Sequence, residues 1–345
     1  MIHLYSNEIV FRGHPDKVCD QISGAILEHC MTDDPKTRAG IEVMGGKELI
    51  VVTGEVTTKA PLNLDIVRDI VKRVLTDIGY DPKRYLVINN LDKQSPDIAQ
   101  GVDSGGAGDQ GMMFGYACRD TREYLPIAMV ILQRFARAYD ELRKAYPRLL
   151  FPDGKAQITG YYDDDRHLLK IKTFLCSYQN AETRRNYTDT MLKQLILDIV
   201  GDYHLEIEEF LFNPTGRFRI GGFEGDAGLT GRKIVVDAYQ SFANVGGGCM
   251  NGKDPTKVDF SAAHKARAIA KDILDKNPNV DWCEVQLSYA IGKAEPLAIY
   301  ISTDVGDITP TKALYRECTP KRIIHDLGLK DISFEALAMF GHFTR

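Results

Sequence analysis

The sequence predicts an α+β fold made of three structurally similar lobes. Two observations carry this prediction. Apolar residues at helical spacing alternate with short β-type runs, and the same order of segments occurs three times along the 345 residues. The helices that open the three cycles are predicted to start at about residues 15, 124 and 260. The strands between them are predicted to form hairpins, which weighs against a doubly wound parallel sheet.

The first cycle shows each element clearly. A helix is predicted over 15–31, where apolar residues recur at helical spacing and a proline suits the first turn. Apolar runs at 41–44 and 49–53 flank a Gly-Gly pair, which predicts a hairpin. A second helix over 67–78 ends at a glycine, and a strand is predicted at 85–91.

The other two cycles repeat this order with decreasing completeness. The second consists of a helix, two paired strands, a helix and a strand, at 124–145, 155–162, 167–177, 188–200 and 206–212. The third consists of a helix, two strands and short helical pieces, at 261–275, 282–291, 296–303 and 311–325. Because any α+β chain gives some such rhythm, the periodicity alone leaves unrelated segments as an alternative.

Composition narrows the classes of function. The formal net charge is −5 and the sequence pI is about 5.9, which argues against a nucleic-acid-binding surface. No basic, apolar leader opens the chain, and no apolar run approaches the ~18 residues of a membrane span. The seven cysteines are odd in number and include no C-x-x-C pair, so we expect reduced thiols in the cytoplasm, with neither a disulfide framework nor a zinc site.

Two long connectors are rich in glycine, at 101–115 and 213–231. Loops of this length in a compact protein are often functional. A third glycine-rich stretch, 246–254, nearly matches the phosphate loop G-x-x-x-x-G-K-[ST], but Asp254 stands where the magnesium-binding hydroxyl is required. A P-loop ATPase is therefore not indicated, although backbone amides and Lys253 could still hold an anion, and a flexible surface turn is an equal alternative.

The segment Gly13-His14-Pro15-Asp16-Lys17 opens the first predicted helix. The free amides and the dipole at a helix start favour phosphate, while Asp16 could bind a hard cation and Lys17 adds positive charge. Ordinary helix capping explains the same pattern. Two further groups of residues, Arg217 with Arg232 and Lys233, and Asp153-Gly154-Lys155, could hold a polyphosphate, but taken alone each also fits an ordinary surface turn or strand start.

Seven motifs in order give the chain a specific resemblance. They are GHPDK at 13–17, GEVTT at 54–58, KQSPDI at 93–98, GAGDQGMMFGYA at 106–117, NPTGRF at 213–218, GDAGLTGRKIVVD at 225–237 and GGG-x-x-x-GKDPTKVD at 246–259. Together they closely resemble the S-adenosylmethionine synthetase (methionine adenosyltransferase) family from residue 3 to about 300 and again at Gly341-His342-Phe343.

The resemblance implies a reaction between ATP and L-methionine. The methionine sulfur attacks the 5′ carbon of ATP and expels triphosphate, which is then hydrolysed to pyrophosphate and phosphate. The family's motifs imply that His14 and Lys155 contact ATP near the bond that breaks, together with Asp153 and Gly154, and that Asp226 touches both adenosine and methionine. The catalytic set implied is His14, Lys155, Asp226 and Arg232. The other ATP-binding positions implied are Arg217, Phe218, Lys233, Cys249 and Lys253.

The resemblance also implies methionine and metal sites. Methionine is expected at Glu55, Gln94, Asp109, Asp226 and Lys257. Two Mg²⁺ ions per site are expected, bound by Asp16 and Asp259, and K⁺ is expected at Glu42. The family's fold has three α+β lobes around a pseudo-threefold axis, which here correspond to residues 1–100, 101–219 and 220–345. A homodimer or homotetramer is implied, with each active site between two subunits.

The chain departs from the family in three places. Phe11 and Arg12 precede the first motif where Ser-Glu is usual, which could adapt the site to another substrate or add a phosphate contact. The loop between residues 100 and 109, which gates the site in the family, is short, and the central lobe and the C-terminal tail are abbreviated. These departures leave open a relative that uses a methionine analogue. A non-catalytic nucleotide-binding subunit is the third reading, against which the retained His14, Lys155 and predicted metal ligands argue.

Overall fold

The structure is a computed structural model that describes residues 1–93 and 105–343. The strands are β1 (His3–Val10), β2 (Arg38–Gly46), β3 (Leu49–Thr57), β4 (Leu86–Asp92), β5 (Gly111–Cys118), β6 (Leu150–Tyr162), β7 (Leu168–Asn180), β8 (Ile207–Phe212), β9 (Gly228–Leu229), β10 (Trp282–Tyr289) and β11 (Ala298–Thr303). The α-helices are α1 (Pro15–Asp33), α2 (Leu64–Ile78), α3 (Ile127–Ala145), α4 (Arg185–Gly201), α5 (Ile234–Asp237), α6 (Val258–Lys276), α7 (Lys312–Glu317), α8 (Pro320–Asp326) and α9 (Phe334–Phe340).

Three sheets confirm the α+β prediction. Their strand orders are β4-β3-β2-β9, β1-β6-β7-β8 and β11-β10-β5. The predicted hairpins β2–β3, β6–β7 and β10–β11 are all antiparallel pairs. In the first two sheets a helix follows the hairpin and leads to a parallel strand, β4 beside β3 and β8 beside β7, so these sheets also contain a crossover that the sequence analysis did not anticipate.

Each sheet receives an edge strand from another third of the chain. The N-terminal strand β1 pairs with β6 of the middle sheet. Strand β5 crosses to β10 of the last sheet, and the two-residue strand β9 returns to β2 of the first. The exchange is therefore cyclic. Its consequence is that residues far apart in sequence meet at the three crossing points.

The helices lie against the inner faces of these sheets. Helix α1 is buried along nearly its whole length and packs on β2, α2 and α9. Helix α3 covers β6 and β1, and α6 covers β5 and β10. Strand residues alternate between buried and accessible positions, as in β10, because one face of each sheet meets the helices. No helix in the described ranges is long and apolar enough to cross a membrane.

Two predicted boundaries were wrong for physical reasons, and one helix was not predicted. Residues 111–118 form a strand rather than the end of a glycine-rich connector, and Gly115 is required there because a Cβ atom would clash with the backbone of α6 at Arg267. Helix α3 starts at Ile127, not 124, because Pro126 disfavours the helical conformation at the preceding residue. Helix α9 near the C-terminus was missed.

Two uncharged histidines are buried where α6 meets the C-terminal segment. The rings of His264 and His342 lie 6.3 Å apart, and His264 Nε2 and His342 Nδ1 are buried without a hydrogen-bond partner. Burial lowers the pKa of His264 to about 4 and also lowers the pKa of His342. Both imidazoles are therefore neutral at physiological pH.

This burial predicts a loss of stability in mild acid. Below pH 6.5 the unfolded chain protonates His264, whereas the folded chain does so only near pH 4, so the free energy of unfolding falls as the pH drops through this window. Between pH 7 and pH 5 the cost of His264 is about 2 kcal/mol. Urea unfolding of His264→Gln should show a shallower pH dependence. His204 is exposed, so His204→Gln is the control and should keep the wild-type pH dependence. If the free energy of unfolding fell equally with pH in the wild type, His264→Gln and His204→Gln, the prediction would be contradicted.

Candidate active site

Strand exchange brings the first motif to the middle sheet. Val10, the last residue of β1, pairs with Lys155 of β6. Beyond it, the Phe11 amide donates to the Gly154 carbonyl at 2.9 Å, and the Gly13 amide donates to the Pro152 carbonyl at 3.1 Å. The 13–17 motif therefore lies beside residues 152–155, although about 140 residues separate them in sequence.

His14 caps α1 and is neutral. Its Nδ1 accepts a hydrogen bond from the Asp16 amide at 3.2 Å, so the neutral ring carries its proton on Nε2. Burial lowers the pKa of His14 to about 3, and the charges of Lys233 and Lys155 contribute to this shift against those of Asp16 and Asp226. The ring can therefore donate a hydrogen bond through Nε2 without carrying a charge.

Asp16 joins two cations that follow the second glycine-rich connector. Its Oδ2 accepts from Lys233 Nζ at 2.5 Å, and its Oδ1 lies 3.4 Å from Arg232 Nε and accepts from the Leu229 amide at 3.0 Å. Burial alone would raise the pKa of this carboxyl, but these bonds lower it overall. Gly228 permits the approach, because a Cβ atom there would lie 2.2 Å from the Pro15 carbonyl oxygen.

Lys155 contributes the cation of this group that lacks a partner. Its side chain is exposed on β6 and forms no hydrogen bond or ion pair with any residue that the structure describes. Beside it, buried Asp153 accepts from the Gly222 amide at 2.8 Å, and burial raises the pKa of this carboxyl to about 6. Asp226 is exposed, and its charge raises the pKa of both His14 and Asp153.

Arg217 and Phe218 lie at the edge of this first group. The Phe218 carbonyl accepts from the Asn180 amide at 2.9 Å, at the end of β7. Arg217 is 69% exposed and its Nε lies 2.6 Å from Glu182 Oε1. The first group thus consists of His14, Asp16, Asp153, Gly154, Lys155, Asp226, Arg232 and Lys233, with Arg217 and Phe218 beside it.

A second group forms on and beside the first sheet. Glu42 on β2 and Glu55 on β3 both lie on the accessible face, and Lys253 is bridged to β2 at Gly40. Burial raises the pKa of Glu42, and the charges of Asp20 and Glu55 add to the rise. Lys253 Nζ lies 2.5 Å from Asp259 Oδ2, in the first turn of α6.

Two more predicted residues complete the second group. Cys249 lies against Gly231, and burial raises its pKa. Lys257 Nζ is buried without a hydrogen bond, 3.6 Å from Asp254 Oδ2. Asp254 itself is fully buried and accepts from the Ala39 amide at 2.9 Å, which explains why this loop lacks the hydroxyl of a phosphate loop.

Asp109 and Gln94 are the other two predicted methionine residues. Asp109 is exposed just before β5 and accepts from the amide of its neighbour Gln110 at 2.7 Å. Gln94 lies outside the described residues.

The two groups are distinct within one chain. Across the described residues, no hydrogen bond or ion pair joins a member of the first group to a member of the second. They approach each other along α1, where Gly231 donates to Asp20 at 3.0 Å and lies against Cys249. One chain thus presents two separate sets of charged residues, and each set contains both lysines and three carboxylates.

Three family models match the chain from end to end. They describe the N-terminal, central and C-terminal domains of S-adenosylmethionine synthetase and match residues 2–96, 104–218 and 220–345. The chain belongs to the S-adenosylmethionine synthetase family.

Relatives in the synthetase family match over nearly the full chain. An S-adenosylmethionine synthase from Acaryochloris marina is 40% identical over 391 residues, which cover 99% of this chain and 92% of the relative. One from Thermosynechococcus vestitus is also 40% identical over 391 residues, with 100% and 94% covered. Because this chain has only 345 residues, the relatives contain residues that it lacks.

Two expectations about residues near the family motif were wrong. Lys17 does not add charge to the phosphate region, because it is fully buried and its Nζ lies 2.6 Å from Asp237 Oδ2. Arg12 does not extend toward a phosphate either, because its guanidinium is 4% exposed and is bound by acidic side chains of α2 and α3. The partners of Arg12, Asp77 and Asp140, lie on helices that carry no motif, so no motif pointed to them.

Proposed function

We propose that this chain is an S-adenosylmethionine synthetase, which transfers the adenosyl group of ATP to the sulfur of L-methionine and hydrolyses the released triphosphate to pyrophosphate and phosphate. The observation that carries the proposal is the first group. Its neutral His14 donor and unpartnered Lys155 lie together with Arg232 and Lys233, a set suited to an extended polyphosphate.

The reaction needs alignment and charge stabilisation rather than a covalent nucleophile. A sulfur–carbon bond forms at C5′ while the carbon–oxygen bond to triphosphate breaks, and no proton changes place in this step. The leaving oxygen gains negative charge, which His14 Nε2 and the Lys155 ammonium would stabilise as preorganised donors. Arg232 and Lys233 would hold the phosphates, with Asp226 directed to adenosine and methionine.

The carboxylates of both groups fit Mg²⁺. Mg²⁺ usually keeps several waters and binds one or two carboxylates together with substrate phosphates. Asp16 is paired with Lys233, and Asp259 is paired with Lys253. Each carboxylate could bind the metal of a magnesium–triphosphate, and the paired lysine could bind its phosphates. Bound there, Mg²⁺ would neutralise charge on the leaving group.

Glu42 fits a monovalent cation. It is half-buried, and the charges of Asp20 and Glu55 act on it, so a cation at this position would relieve the burial of negative charge. We assign K⁺ to Glu42, and the methionine contacts to Glu55, Gln94, Asp109 and Lys257.

A second copy of the chain is the partner that the first sheet favours. The outward face of this sheet carries exposed Met44, Leu86, Ile88 and Leu229. Apolar side chains gathered on one sheet face favour a protein interface. Glu42 and Glu55 lie on the same face, and the amide of Leu229 on this face donates to Asp16 of the first group, so an isologous dimer could set the second group of one subunit against the first group of the other. The reduced, mostly buried cysteines support a cytoplasmic enzyme.

A shared site predicts complementation between inactive variants. His14→Asn removes a first-group donor, and Asp259→Asn removes a second-group carboxylate. In a randomly mixed dimer one of the two sites then regains both wild-type groups, so refolded mixtures should recover about a quarter of the wild-type rate. A mixture of His14→Asn with Lys155→Met is the control, because both changes affect the first group and every site stays defective. Equal recovery in both mixtures would contradict a site between subunits.

The proposed activity is tested directly with the purified chain. Incubation with ATP, Mg²⁺, K⁺ and L-methionine should yield S-adenosylmethionine, pyrophosphate and phosphate, measured by mass spectrometry and phosphate release. Absence of all three products would overturn the proposal. A panel of other thioether amino acids tests the alternative of an analogue substrate, which a higher kcat/KM than that of methionine would favour. The inward direction of Phe11 and Arg12 removes one reason for that alternative.

A further inference from the structure

The residue before the first motif carries a buried charge with three partners. Arg12 Nε donates to Gln21 Oε1 at 2.8 Å, Nη1 donates to Asp140 Oδ2 at 3.2 Å, and Nη2 donates to Asp77 Oδ2 at 2.5 Å. These partners belong to α1, α3 and α2 in turn, so one side chain ties three helices together. A buried charge persists only where its hydrogen bonds are satisfied, and here all three nitrogens donate.

The same helices also hold the main chain of this turn. Gln21 Nε2 donates to the Arg12 carbonyl at 2.9 Å, and the Tyr80 hydroxyl, just beyond α2, donates to the Gly13 carbonyl at 2.6 Å. The Phe11 and Gly13 amides are bound to β6, as described above. His14 follows directly and closes the turn through a bond from its amide to the Phe11 carbonyl at 3.0 Å.

The adjacent aromatic side chain adds a rigid packing contact. The Phe11 ring stacks on Tyr139 of α3 at 4.1 Å between centroids. It leaves no room for a Cβ atom at Gly154, so the turn is pressed against the strand that carries Lys155. Arg12 and Phe11 therefore fix the turn from the helix side, and β6 fixes it from the strand side.

We propose that Arg12 is a positioning residue, whose buried guanidinium locks the turn at residues 11–13 and so fixes the ring of His14 in the orientation in which Nδ1 accepts from the Asp16 amide and Nε2 carries the proton. Arg12 acts through His14 and touches no substrate. Its consequence for catalysis rests on the proposed function, whereas its effect on the His14 ring does not.

The first arm of the test measures the ring itself. In ¹⁵N-histidine-labelled protein at pH 7.5, with the His14 signal identified by its loss in His14→Asn, the wild type should show a single Nε2–H tautomer. Arg12→Gln should shift the His14 nitrogens toward values averaged over both tautomers. Asp77→Asn should shift them less in the same direction, and it tests the proposal if Arg12→Gln fails to fold, since Asp77 is 47% exposed. Arg134→Gln, which breaks an exposed ion pair of α3, is the control and should leave them unchanged.

The second arm measures turnover in a double-mutant cycle. Arg12→Gln should lower kcat about 10- to 100-fold with little change in the KM of methionine, as expected when a reacting group is misplaced. In the His14→Asn background the same change should cost less than twofold. Unchanged His14 nitrogens in both Arg12→Gln and Asp77→Asn would overturn the inference whatever the activity. If the wild type is active and Arg12→Gln lowers kcat by the same factor in the wild-type and His14→Asn backgrounds, the inference is also overturned. If Arg12→Gln shifts the His14 nitrogens but the wild type has no synthetase activity, only the proposed function is overturned.

Discussion

Replacing His14 by Asn or Lys155 by Met is expected to lower kcat about 100- to 1,000-fold each, by analogy with the loss of one preorganised oxyanion donor. His14 offers an uncharged Nε2–H, because its Nδ1 is occupied by the Asp16 amide and its pKa lies near 3. Lys155 offers an ammonium group that forms no ion pair or hydrogen bond with any described carboxylate. Steady-state assays with ATP and methionine, on variants whose fold is checked by circular dichroism, measure both effects.

A lysine on the neighbouring strand provides the matched control. Lys172 is exposed on β7, outside both groups, so Lys172→Met should keep the wild-type kcat. If His14→Asn and Lys155→Met both keep the wild-type kcat and raise the KM for ATP, the two residues bind the ground state and the transition state equally. That result would contradict their catalytic assignment.

The local elements of the fold follow from sequence because their signals are local. The helical period of α2, its Asn63 cap and its Gly79 end lie within one short segment, as do the two apolar runs of the β2–β3 hairpin. The residues of both charged groups were predicted from the motifs, and their roles stay predictions. That set came from resemblance, since capping alone explained the 13–17 segment equally well.

The exchanged strands could not be predicted in this way. Strand β1 was not predicted, and its partner β6 begins 140 residues after β1 ends, a distance over which alternation does not identify a partner. Strand β5 was hidden because its glycines resemble a connector, although one of them, Gly115, avoids a clash with α6. The juxtaposition of His14 with Lys155 depends on one of these pairings, so spacing could suggest both residues but not their proximity.

The ion pair of Lys17 also could not be predicted from local sequence. Its loss is expected to have the largest effect on stability. The local sequence around a lysine in the first turn of a helix does not tell whether the side chain faces solvent or the core. The partner of Lys17, Asp237, is 220 positions away. Burial would lower the pKa of Lys17, but the carboxylates of Asp237 and Asp20 raise it overall, so the ammonium stays charged in the core. The ion pair also ties α1 to α5, which directly follows the Arg232-Lys233 pair of the first group.

Lys17→Met is therefore expected to reduce the free energy of unfolding by about 3–5 kcal/mol, because it leaves Asp237 and Asp20 buried without their cation. Neutralising both acids as well, in Lys17→Met/Asp20→Asn/Asp237→Asn, should recover part of this loss, since an uncharged set is less costly to bury than an unpaired carboxylate. Urea unfolding midpoints measure both. Lys276→Met breaks an exposed pair with Asp272 and should leave the midpoint unchanged. If Lys17→Met behaved like Lys276→Met, the motif's lysine would not be a core ion pair, and the coupling between α1 and the Arg232-Lys233 segment would come from the bonds of Asp16 and Asp20 and from the β9 contacts.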